Sequence, residues 1–269
     1  MPSLIDIRRR LRSVRNTQQI TKAMKMVSAA KLRRAQERVF NARPYAELIR
    51  QMLANVVART EAARASAGQD APLHPLLARR PERRLLLLVL SGDKGLAGAF
   101  NTNIVKAAQR FLEERAEQQQ EPRLVAIGRK GRDFFRRRRA LEAEYVNIFA
   151  RVSYANAREI AAEIIRRYQE EQADAVYLIY NEFKSILSQK LRVERLLPLE
   201  PVAEKPGESQ VDYIYEQPPE AIFRELLPRH IEVQVFRALL ESAAAEHAAR
   251  MTAMDSATSN AAEMIEGIT

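Results

Sequence analysis

Apolar residues at the start of the chain recur at spacings of three and four. Leu4, Ile7, Leu11 and Val14 form such a series, the seam of a helix that packs along a second helix. Between Ser3 and Arg43 there is no glycine and no proline, so the pattern predicts one long helix. The seam turns polar at Gln18, Thr21, Lys25 and Ser28 before Leu32, Ala35 and Val39 restore it. Such a break is expected where the helix leaves its partner or meets another. Pro44 should kink or restart the helix, after which Tyr45, Leu48, Ile49, Met52, Leu53, Val56 and Val57 carry the stripe to about Ala65. From Pro219 the chain again reads as one helix, broken only by Pro228. Its seam is Phe236, Leu240, Ala243, His247, Met254, Ala257, Ala261 and Ile268. Some 50 residues make a helix roughly 75 Å long. Both seams are rich in alanine and serine, so the pair should be thin enough to pass through a narrow hole. The C-terminal seam is still running at Thr269, and a further C-terminal segment is expected.

The middle of the chain has a different period. Residues 66–84, with one glycine and three prolines, read as a linker. Leu85–Ser91 is a continuous apolar run, the mark of a strand buried on both faces. Helices are expected at Thr102–Ala116 and Lys130–Arg138, and strands at Leu124–Ile127 and Tyr145–Phe149. A helix capped by Asn156 should reach Glu171, with strands at Ala175–Phe183 and Ser185–Leu196. This alternation points to a doubly wound α/β domain. The expected organisation is therefore a helix over 1–65, a linker over 66–84 and an α/β domain over 85–197. A second linker over 198–218, with a short strand at Val211–Tyr215, precedes a helix over 219–269.

Charge adds a polarity to this plan. The net charge is +10, and residues 1–60 hold 14 Lys/Arg against Asp6, Glu37 and Glu47. Residues 219–269 hold four arginines against eight acidic residues. The two arms attract each other, and the surplus is left for an acidic partner. There is no cysteine, which excludes disulfides, thiolate metal sites and cysteine nucleophiles. The N-terminus lacks the apolar core of a secretory signal. The longest apolar run, Leu85–Leu90, is far shorter than the ~20 residues of a membrane span.

Candidate chemistry is sparse. Ser91-Gly92-Asp93-Lys94-Gly95-Leu96-Ala97-Gly98 joins a buried strand to a helix, a context in which helix N-termini hold phosphate. The lysine, however, precedes the second glycine, which does not fit G-x-x-x-x-G-K-[ST]. Gly92 and Gly95 are expected to serve a tight turn, and Gly98 close helix–sheet packing. His74, His230 and His247 are the only histidines, and none has a second ligand at metal spacing. No cofactor is expected. Arg136–Arg139 could meet nucleic acid or anionic lipid, with Phe134 and Phe135 as core packing rather than a stacking platform.

Three stretches carry a family resemblance. Residues 20–32 (ITKAMKMVSAAKL) resemble the N-terminal helix of the γ subunits of F-type ATP synthases. Ser91–Gly98 with Asn101 resembles the first strand and turn of their α/β domain. Glu241–Ala257 resembles their C-terminal helix, above all at Ser242, Glu246, Ala248, Ala249, Arg250, Met251, Ala253 and Met254. Arg43–Glu47, Ile127-Gly128, Gln189, Leu196–Leu199 and Asp212-Tyr213 agree in the same order.

The resemblance implies a central shaft, an antiparallel coiled coil of the terminal helices with an inserted Rossmann-like α/β domain. It implies an α3β3 ring around the coil, with the ε subunit and the membrane c ring at the α/β domain. ATP chemistry would belong to the β subunits, with no catalytic site here. Lys22, Met24, Lys25, Arg33 and Arg250 would meet the ring, with Lys31 on the same basic helix. Absence of the chloroplast form's cysteine-bearing loop and of a transit peptide suggests a bacterial chain, peripheral on the cytoplasmic face of the inner membrane. Two other readings remain: a coiled-coil nucleic-acid-binding or scaffold protein using residues 8–38, and a nucleotide-dependent enzyme at Gly92–Gly98.

Overall fold

The fold follows from where apolar side chains can be hidden. A computed structural model describes residues 4–66, 74–199 and 219–268. Helix α1 spans Leu4–Ser66, 63 residues or roughly 95 Å at 1.5 Å per residue, and α5 spans Pro219–Ile268. They run antiparallel along one another, with Thr21 beside Thr258 and Arg43 beside Glu241. The expected strand at Val211–Tyr215 lies outside the described residues.

Neither proline breaks its helix. Pro44 lies inside α1 and Pro228 inside α5, so neither the restart expected at Pro44 nor the break expected at Pro228 occurs. Pro44 faces solvent, and seam residues on either side of it are buried: Leu32, Val39, Ala46, Ile49 and Leu53 are all 6% exposed or less. Burying each aliphatic side chain stabilises by about 1.5–3 kcal/mol, which together outweighs the ~3 kcal/mol cost of one interior proline.

Between the two helices the chain builds one five-stranded sheet in the order β3-β2-β1-β4-β5. Strands β1 (Arg84–Leu90), β2 (Glu121–Ile127), β3 (Ala143–Tyr145) and β4 (Ala175–Phe183) are parallel, and β5 (Gln189–Leu197) is an antiparallel edge. The crossovers carry α2 (Phe100–Glu117), α3 (Arg129–Phe135) and α4 (Tyr154–Gln169). β1 is central, and Leu85–Leu90 are at most 2% exposed, as a strand covered on both faces requires.

Two local features depart from the sequence pattern. Residues 148–150 form a 3-10 turn after Asn147 at φ 63°, so the strand ends at Tyr145 rather than continuing to Phe149. Ser153, not Asn156, caps α4: its hydroxyl accepts from Asn156 N while the Asn156 side chain accepts from Ser153 N, a reciprocal capping box.

Helix α5 packs against α1, α4 and β4 together. From Leu227 to Arg250 it is therefore buried almost all round. Leu227, Ile231, Val235, Ala238, Leu239, Ala244, Ala245 and Ala248 are each 0% exposed. The alanines let α5 lie close to its neighbours on more than one side, as small side chains must where a helix is enclosed.

Candidate functional site

The polar stretch of the α1 seam stays on its partner. Thr21 is 8% exposed and Ser28 3%. The Thr21 hydroxyl donates to the Gln18 carbonyl at 3.1 Å and lies 2.8 Å from that of Thr258. Lys25 Nζ is 2.6 Å from Asp255. Of the two alternatives for the break between Gln18 and Ser28, α1 does not leave α5: the seam continues there with hydrogen bonds in place of apolar contact. Gln18, Gln19, Lys22, Lys25, Asp255 and Thr258 line a crevice of about 310 Å³ on this part of the coil.

The outer face of the same segment is open. Ile20 is 60% exposed, Met26 63% and Val27 56%, Lys22 is exposed, and Met24 is half-buried. The Arg33 side chain is exposed with a loose ion pair to Glu37 at 3.6 Å. Three bare apolar side chains among cations within eight residues suit a contact surface better than a solvated face.

Of the remaining seam residues, Ile7, Leu11 and Val14 are half-buried and Leu240, Ala243 and Met254 are buried. Leu4 is 75% exposed and does not pack as a seam residue. Phe236 is half-buried at the junction of α1, α4 and α5, its ring edge-on to Tyr154 of α4 at 5.5 Å. It thus faces α1 at Asn41, Ala42 and Tyr45 and α4 at Tyr154 together.

The glycine-rich turn is a joint, and protein groups occupy it. Asp93 accepts from the N–H groups of Arg129, Asn147 and Phe149 at 3.0, 2.9 and 3.1 Å, so a carboxylate already stands before α3. Gly92 N–H donates to Asn101 Oδ1 at 2.8 Å. The Gly92 N–H is thus taken, and a carboxylate stands where α3 would otherwise offer its N-terminus to an anion. Gly92 allows close approach of α5: a Cβ there would lie 2.9 Å from the Glu246 carboxyl carbon. Gly98 sits at φ 54°, which rather than sheet packing explains it.

Glu246 and Arg250 of α5 meet this turn. Arg250 pairs with Glu246, and its guanidinium donates to the Gly95 carbonyl at 3.2 and 3.3 Å. Arg250 is only 8% exposed, so its expected role at an outside partner is replaced by one inside the chain. Burial pushes the Glu246 carboxyl above its usual range, with the Arg250 charge opposing. One turn earlier, Glu241 joins Arg43 of α1 and the backbone of Phe183. Apart from the Arg250–Glu246 pair, these contacts of α5 link residues more than fifty positions apart, and no local pattern signals them.

Among the described residues no group of three His, Cys, Asp or Glu could hold a metal. His230 and His247 are pushed down to about 4, first by burial and then by nearby cations: Arg237 and Arg50 for His230, Arg250 and Lys31 for His247. The Nδ1 atom of each has no hydrogen-bond partner. Arg136–Arg139 are exposed, with Arg138 over the Phe134 ring at 3.8 Å, while Phe135 is 1% exposed.

The model of the ATP-synt family, described as ATP synthase, matches residues 3–269. The ATP synthase gamma chain of Solibacter usitatus (strain Ellin6076) is 58% identical over 271 residues, covering 100% of this chain and 91% of that one. That of Anaeromyxobacter sp. (strain Fw109-5) is 51% identical over 270 residues with the same coverage. Among solved structures, the central stalk and c-ring of the Tetrahymena thermophila mitochondrial ATP synthase aligns with a TM-score of 0.65 at 27% identity. That alignment covers 88% of this chain and 99% of that chain. The rotor of the Euglena gracilis mitochondrial ATP synthase shares the fold, with a TM-score of 0.60 at 20% identity over 97% of this chain and 93% of that chain.

Proposed function

Because this chain belongs to the ATP synthase family, with gamma chains as relatives along its whole length, we propose that it works as the central rotor shaft. The carrying observation is the coil itself. Helices of 63 and 50 residues wind together, with one stretch seated on an α/β sheet and another standing clear of it. The clear stretch suits the bore of an α3β3 ring, and the α/β domain suits the end nearer the c ring. Proton-driven rotation of the c ring turns the shaft, and the turning shaft changes the β subunits that make ATP.

The exposed face of α1 around Ile20–Val27, with Lys22, Met24, Lys25 and Arg33, meets acidic loops of the β subunits. Its surplus of positive charge and its bare apolar side chains support that placing. The ε subunit sits with the c ring at the α/β domain. No helix among the described residues is long and apolar enough to cross a membrane, and the chain is a peripheral part of its complex. Its bacterial relatives support a place on the cytoplasmic face of the inner membrane.

Affinity purification of the tagged chain from detergent-solubilised membranes tests this reading, with subunit composition and ATP hydrolysis measured on the eluate. Recovery with α and β subunits in an ATP-hydrolysing complex is the expected result. Recovery alone or with nucleic acid would overturn it.

A further inference from the structure

The contacts between the coil and the sheet are of two kinds. Between Leu227 and Arg250, where α5 packs on α1, α4 and β4, its buried side chains are mostly apolar and small, Ala238, Ala244, Ala245 and Ala248 among them. Apolar burial is non-directional: it resists pulling the helix off the sheet, and resists turning it in place much less. Hydrogen bonds weaken steeply when their angles are bent, so resistance to turning falls to directional groups.

Arg43 and Glu241 form the strongest such group. Arg43 Nε donates to Glu241 Oε1 at 2.8 Å and Arg43 Nη2 to Oε2 at 3.0 Å, a bidentate pair. Phe183 N–H donates to the same Oε2 at 2.9 Å, and Arg43 Nη2 donates to the Phe183 carbonyl at 2.8 Å. Phe183 is the last residue of β4, a strand paired on both sides. One cluster therefore ties α1, α5 and the sheet at a single point. The Glu241 side chain is 4% exposed and that of Arg43 34%, so water cannot readily take the place of Arg43 at the buried carboxylate.

We propose that Arg43 and Glu241 are the torque key of the shaft, positioning residues that make the coil and the α/β domain turn as one body. This rests on the rotor reading. Torque entering through the α/β domain would reach the coil through this cluster, and torque from ATP hydrolysis would return through it. Neighbouring hydrogen bonds, such as Arg237 to Glu194 at 2.9 Å and the Tyr154 hydroxyl to Glu232 at 2.6 Å, each join α5 to the domain alone.

The test uses the assembled complex with the full chain and a load-bearing probe on the α/β domain. The chain has no cysteine, so Lys106→Cys on the exposed side of α2 gives the probe a unique place on this subunit. ATP-driven rotation is followed against increasing load in the otherwise unchanged chain, in Glu241→Gln and in Arg43→Lys. Loss of stall torque relative to the unloaded hydrolysis rate is expected in Glu241→Gln, and a smaller loss in Arg43→Lys, which keeps the charge but not the bidentate geometry. Should Glu241→Gln fail to assemble, Arg43→Lys alone decides. Unchanged stall torque, with or without a lower melting temperature, would make the pair a merely structural contact and overturn the key. Absence of rotation in the unchanged chain would overturn the shaft reading instead.

Discussion

Two glycines three residues apart in one turn should answer the same substitution in opposite ways. In Gly92→Ala the new Cβ would lie 2.9 Å from the Glu246 carboxyl carbon and 3.1 Å from both its oxygens. That carboxylate cannot swing aside freely, because Arg250 holds it and it is 4% exposed. Overpacking of this kind costs about 1–3 kcal/mol, and more if the buried pair opens. In Gly95→Ala the nearest atom is Lys130 Cε at 3.7 Å, an ordinary contact at the end of a flexible side chain. With no backbone strain to oppose it, the alanine gains about 0.4–1 kcal/mol by restricting the unfolded chain. At this chain length 1 kcal/mol moves the midpoint by about 2–4 °C, so thermal unfolding followed by circular dichroism should separate the two variants clearly. In a Glu246→Ala background the Gly92→Ala penalty should largely vanish, giving a coupling of about 0.5–3 kcal/mol. Equal effects of the two alanines, or a penalty that persists without the Glu246 side chain, would refute the close approach of α5 to this turn.

Leu239→Ala, at a position 0% exposed on α5, should cost about 2–5 kcal/mol, whereas Leu4→Ala, at a position 75% exposed, should cost almost nothing; urea unfolding midpoints compare them. His230 and His247 have folded pKa values of about 4 against an ordinary 6.5, so the unfolded chain takes up protons first as pH falls. Stability is fully present above 6.5 and should decline between 6.5 and 4, by at most about 1.4 kcal/mol per group per pH unit. The raised Glu246 works the other way, so the histidines are isolated by difference: a melting temperature with the same pH slope in a His230→Gln, His247→Gln double variant as in the unchanged chain would contradict the buried neutral histidines. Lys25→Ala removes a half-exposed pair with Asp255 and should cost the chain under about 1 kcal/mol. A marked fall in ATP-driven proton pumping in the assembled complex would then come from contact outside the chain, and unchanged pumping would remove Lys25 from that contact.

The seams and the buried strand were legible because each is a repeat within one element. Leu85–Leu90 has no polar face and can only be a strand covered on both sides. Pro44 and Pro228 misled because local rules count a missing N–H and not the buried residues that hold the helix together on either side of it. The polar seam was ambiguous for a related reason. Thr21 and Lys25 look like a gap until Thr258 and Asp255 are set opposite them, and nothing in either segment alone does so. Ser153 was missed as a cap although Ser-x-x-Asn is a readable capping box. Arg250 and Glu246 were legible as a motif but not as a contact, since their partner turn lies some 150 residues earlier.

Pairing the first helix with the last also sets the order in which the chain can fold during its synthesis. Lys25 and Asp255 are 230 positions apart, and Thr21 and Thr258 237. At about 5–20 residues per second, α1 waits roughly 10–50 s on the ribosome for its partner. Throughout that interval Leu32, Val39, Ile49 and Leu53 have nothing from α5 to cover them. The α/β sheet, complete except for its α5 cover, is ready first and gives the arriving α5 a surface on which to form. A cell making this chain must therefore shield a long apolar stripe until translation ends, and chaperone demand should fall on α1 rather than on the sheet.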